Sequence, residues 1–182
     1  MMGATEMERT PFTATSLGTL YDSITNLPAV FILEHLRSLY NVGSILRTAD
    51  AVRLQGVRVV GITAGFDHPR LAKTALGAEH SVRWQRDETT AAAVDGLRAQ
   101  GFEIVALDTL APAVDLFDWT PGFPVAVIFG NEVDGVRGDT VARADLRVRI
   151  PMLGTKHSLN VATAAGVVAF ELLRRYRFLC RS

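Results

Sequence analysis

The sequence predicts a single-domain α/β fold with a mostly parallel sheet and helices on both faces. Three observations carry this expectation. Short apolar runs alternate along the chain with segments of helical periodicity, the pattern of layered α/β proteins. Several runs, above all "PVAVIFG" (124–130), are almost unbroken in their apolarity, as strands buried on both faces are. The chain has 182 residues, 48% of them hydrophobic, enough for one sizeable core and few for two.

Taken in order, residues 1–27 lack periodicity and are expected to form a flexible N-terminal arm, leaving 28–182 as the domain. "AVFILEH" (29–35) reads as a buried strand. "NVGSILRTADAV" (41–52) reads as a helix capped by Asn41, with Ile45, Ala49 and Val52 at helical spacing and Gly56 as its stop. "VRVVGIT" (57–63) is the second strand. "RLAKTAL" (70–76) is a short helix closed by Gly77, and "HSVRW" (80–84) alternates like a strand. "DETTAAAVDGLRAQG" (87–101) has acids in front and a glycine behind, the polarity a helix dipole favours. "FEIVALD" (102–108), "PVAVIFG" and "LRVRIPM" (146–152) are further strands, and 159–178 is the closing helix. Ligand sites of such sheets lie beyond the carboxyl ends of the strands, so the loops after Leu107, Phe129 and Ile150 are the ones to inspect.

Composition excludes several classes. Acids replace the apolar stretch a secretory leader needs at the start, and no apolar run approaches the roughly 20 residues that span a bilayer. No membrane role is expected. The single cysteine, Cys180, can form no internal disulfide, which suits a reducing cytoplasm. Net charge is zero, unlike a general nucleic-acid coat. The distribution is uneven: residues 87–118 hold seven acids against Arg98 alone, whereas from Arg137 onward nine bases face Asp139, Asp145 and Glu171. That leaves two readings open, a pair of solvated faces or a basic surface able to meet phosphates.

The loops narrow the chemistry. "GNEVDGVRGD" lacks the Lys and Ser/Thr of a phosphate loop, and no G-x-G-x-x-G follows any strand. It does offer Gly130, Asn131 and a carboxylate, Glu132, at the mouth of a central strand; Asn131, Glu132 and Asp134 could equally be turn residues. Asn41, Ser44, Arg47 and Thr48 cluster at the start of a helix, where an arginine fork can hold phosphate. "GTKHSLN" presents Ser158 and Asn160 with Lys156 and His157, and Gly154 for an unusual backbone angle. His35, His68, His80 and His157 are scattered, so no metal site is expected. The absence of a G-x-S-x-G elbow removes a serine hydrolase.

In this order and spacing, "YNVGSILRTADA", "VIFGNEVDGV" and "IPMLGTKHSLNVATAAGVVAFE" resemble the three signature motifs of the SpoU-like RNA 2′-O-ribose methyltransferases of the SPOUT superfamily. The resemblance covers residues 29–178 and includes "KTALGAEHSVRW". It implies a C-terminal trefoil knot, a rare exception to ordinary topology, a homodimer, and S-adenosylmethionine bound by the knotted loops. It implies catalytic roles for Arg47, Asn41, Glu132, Ser158 and Asn160. Cofactor contacts would come from Leu107, Asp108, Thr109, Gly130, Asn131, Ile150, Met152 and Leu159, largely through the backbone.

The implied reaction is attack of a ribose 2′-hydroxyl, in tRNA more than in rRNA, on the sulfonium methyl. Arg47 would fix the adjoining phosphate and stabilise the incipient alkoxide, since a guanidinium is not realistically deprotonated. Ser158 and Asn160 would orient the site across the dimer, where Ala162, Ala165, Gly166 and Ala169 form a small-residue stripe. RNA recognition would fall to the dimer surface or to an accessory protein. The rivals are a catalytically silent RNA-binding module of the same fold and a protein for a different nucleotide ligand.

Overall fold

A computed structural model describes residues 21, 24–110 and 112–180. Along the chain run β1 (Leu27–Glu34), α1 (Leu39–Ala51), β2 (Leu54–Val60), α2 (Ala72–Ala75), α3 (Ala78–Ser81), β3 (Trp84–Asp87) and α4 (Thr90–Arg98). Then follow β4 (Glu103–Leu107), β5 (Val114–Asp115), β6 (Val125–Phe129), α5 (Gly138–Val141), β7 (Leu146–Arg149) and α6 (Val161–Leu179). Most of the expected arm over 1–27 lies outside the described residues.

The strands form one sheet in the order β3-β2-β1-β6-β4-β7-β5, with every neighbouring pair parallel. The unbroken apolar run of β6 holds the central place, and all five of its residues are buried. Period-2 alternation sends β1 to both faces. Leu27, Ala29, Phe31 and Leu33 join the core under α1 and α6, while Val30 and Ile32 join the core under α4. Parallel pairing places the carboxyl ends of β4, β6 and β7 along one edge of the sheet, where their loops meet.

Glu34 ends β1 and is buried, yet each carboxylate oxygen has a partner. Thr90 Oγ1 and Thr140 Oγ1 donate to Oε1 at 2.6 and 2.5 Å, and Arg137 N donates to Oε2 at 3.1 Å. A buried acid so satisfied ties α4 and α5 to the central sheet, and removing its partners would leave a costly orphan.

Several local expectations change. Ser38, not Asn41, caps α1: its Oγ accepts from Asn41 N at 3.3 Å. The helix ends at Ala51 and the chain turns at Arg53, whose φ of 52° is left-handed, while Gly56 lies inside β2, where a Cβ would sit 3.3 Å from Arg83 O. His80 and Ser81 belong to α3, with Ser81 Oγ donating to Asp50 of α1, so β3 begins only at Trp84. Asp87 and Glu88 precede α4, which Thr89 caps, and Asp87 pairs instead with Arg58 at 3.1 Å. Among the described residues no helix is long and apolar enough to cross a membrane.

Candidate active site

Three loops enclose a cavity of about 590 Å³, within the ordinary range for small-molecule sites. After β4, the wall is made by Leu107, Asp108 and Thr109, with Leu110 beyond them. After β6 come Gly130, Asn131 and Glu132, and after β7 Ile150, Met152, Ser158, Leu159 and Asn160. All eight residues expected to touch the cofactor therefore line one cavity, joined by three of the five expected to be catalytic. His157, offered by the sequence as a polar group of the third loop, lines it as well, and so do Leu110, Val161 and Ala164, for which there was no sequence signal.

Gly130 is required by close approach. A Cβ there would lie 2.1 Å from the backbone carbonyl of Gly135, so only glycine lets the loop fold back on itself. Asn131 holds the fold-back: its Oδ1 accepts from Val133 N at 2.7 Å and Asp134 N at 3.3 Å, and its Nδ2 donates to His35 O at 3.1 Å. The turn reading of Asn131 is thus correct, and the turn itself shapes the cavity wall. His35, in the left-handed region at φ 55°, brings the β1–α1 connection against it.

One side of the cavity is knitted by a chain of side-chain amides. Asn160 caps α6, accepting through Oδ1 from Ala162 N at 2.9 Å and Thr163 N at 3.3 Å. Its Nδ2 then donates to Asn41 Oδ1 at 3.1 Å, which leaves Asn41 Nδ2 to donate to Glu132 Oε1 at 2.9 Å. Glu132 also accepts from the backbone N–H of Arg37 and of Ser38, both at 3.2 Å. The direction of every bond is fixed by the helix cap at one end and the carboxylate at the other. Asn41, Glu132 and Asn160, far apart in sequence, act as one unit.

The span that holds these loops can be matched to known proteins. A profile of the SpoU rRNA Methylase family matches residues 28–170. The chain belongs to the SpoU rRNA methylase family. A tRNA (guanosine(18)-2′-O)-methyltransferase of Thermus thermophilus is 35% identical over 144 residues, covering 79% of this chain and 73% of that protein. The enzyme of the same name from Escherichia coli is 32% identical over 143 residues, which cover 79% of this chain and 62% of its own length. The chain thus spans about three fifths of several of its relatives, down to 59%. An AdoMet-bound rRNA methyltransferase from Sinorhizobium meliloti superposes with a TM-score of 0.76 at 30% identity, over 85% of this chain and 59% of that one.

In this SpoU-family chain, partial burial pushes the Glu132 carboxyl up. Hydrogen bonds from Asn41 and from backbone N–H groups outweigh that effect and hold it below its ordinary 4.5. A carboxylate so tied stays ionised near neutrality and is a poor proton acceptor.

Not every expected residue joins the cavity. Arg47 lies on the exposed face of α1, makes no hydrogen bond or ion pair to a described residue, and does not line the cavity. Ser44 is exposed on the same helix. Of the small-residue stripe on α6, Ala162, Ala165 and Ala169 are buried in the chain's own core and cannot face a partner; only Gly166 has open space before it. Gly154 has no left-handed φ. Among the described residues no group of His, Cys, Asp or Glu is placed to hold a metal ion.

Proposed function

We propose that the protein is an S-adenosylmethionine-dependent methyltransferase acting on a ribose 2′-hydroxyl of RNA, with tRNA favoured over rRNA. The observation that carries this reading is the convergence of three loops on one cavity beside the Asn160–Asn41–Glu132 chain. The donor set suits the cofactor: Leu107, Ile150, Met152 and Leu159 give apolar walls for a base, and Asp108 and Glu132 give acceptors for hydroxyl or ammonium groups. S-adenosylmethionine supplies a methyl group activated on a sulfonium sulfur. Glu132, kept ionised, holds loop geometry and leaves proton transfer to another group. Arg47, with its always-charged fork, fixes the phosphate next to the target ribose and offsets developing negative oxygen.

Arg47 lies outside the cavity of its own chain, which favours a homodimer that brings a partner copy's helix to the site. Tyr40 on α1 and Phe170 on α6 are exposed at 77% and 55% and offer apolar side chains to such a partner. The knot belongs to the same reading. It is supported by β7 docking on the side of β4 away from β6, and by the 150–160 loop lying against both preceding loops. We take residues 28–182 as the methyltransferase domain, in a cytoplasmic protein, with RNA gripped by the dimer surface or by an accessory protein.

Calorimetry with S-adenosylmethionine is the first test, and one site per chain is expected. Absence of binding sinks the reading. Transfer of labelled methyl to separate tRNA and rRNA pools, followed by nucleoside analysis, then decides the substrate. Label on tRNA 2′-oxygens is expected, label on rRNA alone reverses the preference, and label on bases contradicts the chemistry.

A further inference from the structure

Beside the proposed cofactor cavity lies a second one of about 510 Å³. The two share Thr109, Ile150, Met152 and His157, so they meet along a common wall. The second cavity opens on the β7–β5 edge of the sheet, away from α1. Its charges are unbalanced. Asp115 is paired with Arg149, which removes the one acid and one base together. Lys156 remains, with no hydrogen bond or ion pair to a described residue. Elsewhere in this half of the chain most cations are engaged: Arg137 with Asp139, Arg143 with Asp95, and Arg174 and Arg175 with Glu171. Leu153, at the rim, is fully exposed.

An uncompensated ammonium next to bare apolar surface and threonine hydroxyls suits a ligand with an anionic group and a flat apolar part. S-adenosylmethionine itself carries net positive charge, so Lys156 disfavours an extension of the cofactor into this space. We propose that the second cavity seats the RNA nucleotide flanking the methylated one, with its phosphate on Lys156 and its base against Leu153. The proposal rests on the RNA methyltransferase reading, because only then do two adjacent cavities receive two successive parts of one transfer. The shared wall sets the second cavity beside the methyl donor, and the methylated nucleotide must lie beside that donor too, which keeps its strand neighbour within reach.

The test compares wild type, Lys156→Gln and Lys156→Glu on unfractionated tRNA and on rRNA, by filter binding across a salt series and by steady-state methyl transfer. S-adenosylmethionine calorimetry serves as the folding control, and Lys156 is exposed, so the variants should fold. Lys156→Gln is expected to raise the KM for RNA about tenfold, with Lys156→Glu worse, and to lower the salt slope by about 0.7. kcat and cofactor affinity should hold. Unchanged KM and salt slope overturn the proposal while leaving the activity intact. A loss of cofactor affinity reassigns Lys156 to the first cavity, and a changed oligomeric state by light scattering reassigns the surface to a second copy; either result overturns it. Lys156-dependent RNA binding without any methyl transfer would keep the subsite and defeat the activity instead.

Discussion

The two flanks of the cavity differ in how fully they are satisfied. On the α1 side, Asn160, Asn41 and Glu132 donate and accept in one direction, and the loop below them is locked by Asn131. On the β7–β5 side, the 150–157 loop leaves Lys156 without a partner among the described residues and Leu153 bare. The first flank is built before any ligand arrives, as positioning of reacting groups demands. The second keeps groups that only a ligand can satisfy. Geometry and substrate grip are therefore assigned to opposite ends of one site.

That division can be broken at its strongest point first. Asn41→Asp sets a carboxylate against Glu132 and is expected to lower methyl transfer by about 10²- to 10³-fold, the scale of losing an oriented donor. Asn160→Asp keeps the helix cap through Oδ1 yet replaces the donating Nδ2 by an oxygen set against Asn41 Oδ1, so that link of the chain becomes repulsive. A similar direction of loss is expected, and a near-normal rate would show that the amide chain orients nothing.

Gly130→Ala comes next. Its Cβ would meet backbone at 2.1 Å, so the loop must shift, at a cost of about 1–3 kcal/mol and with weakened cofactor binding. Thermal denaturation with and without S-adenosylmethionine reads both effects.

A smaller effect is expected in acid. Glu132 is held below 4.5 in the folded protein, so its contribution is fully present above that value and is lost as pH falls through the lower, folded one. Asp145 and Glu171 are also held low, Asp145 by Ile104 N and Arg98 against the upward push of burial, and Glu171 chiefly by Arg174. The informative comparison is therefore Glu132→Gln with wild type: below about pH 4.5 their stabilities should converge, and a gap that widens in acid would be contrary. Smallest of all, Leu153→Ser should leave the free energy of unfolding within about 0.5 kcal/mol of wild type, because that side chain is fully exposed.

Much of this was legible in the sequence where the signal was local and long. The strands around Phe31, Val105 and Val127 are apolar runs, and the rule that ligands gather beyond strand carboxyl ends picked out the three loops that meet. What stayed hidden depended on contacts between distant residues. "HSVRW" alternates over only five residues, too few to outweigh the packing of α3 on α1 through Ser81 and Asp50. Ser38 and Asn41 are both good caps three residues apart, and only the fold shows that Ser38 takes the cap and frees Asn41 for Glu132. The alanines of α6 have the spacing of an interface, but spacing cannot say which side of a helix meets the chain's own sheet. Glu34 looks like an ordinary strand end until Thr90 and Thr140 arrive from other helices.

The sharpest single measurement is the kcat and KM of Asn41→Asp and Lys156→Gln on the same RNA. The division of labour between the flanks predicts a fall in kcat for the first with RNA affinity kept, and a rise in KM for the second with kcat kept. The reverse pattern, or both variants failing in the same parameter, would contradict it.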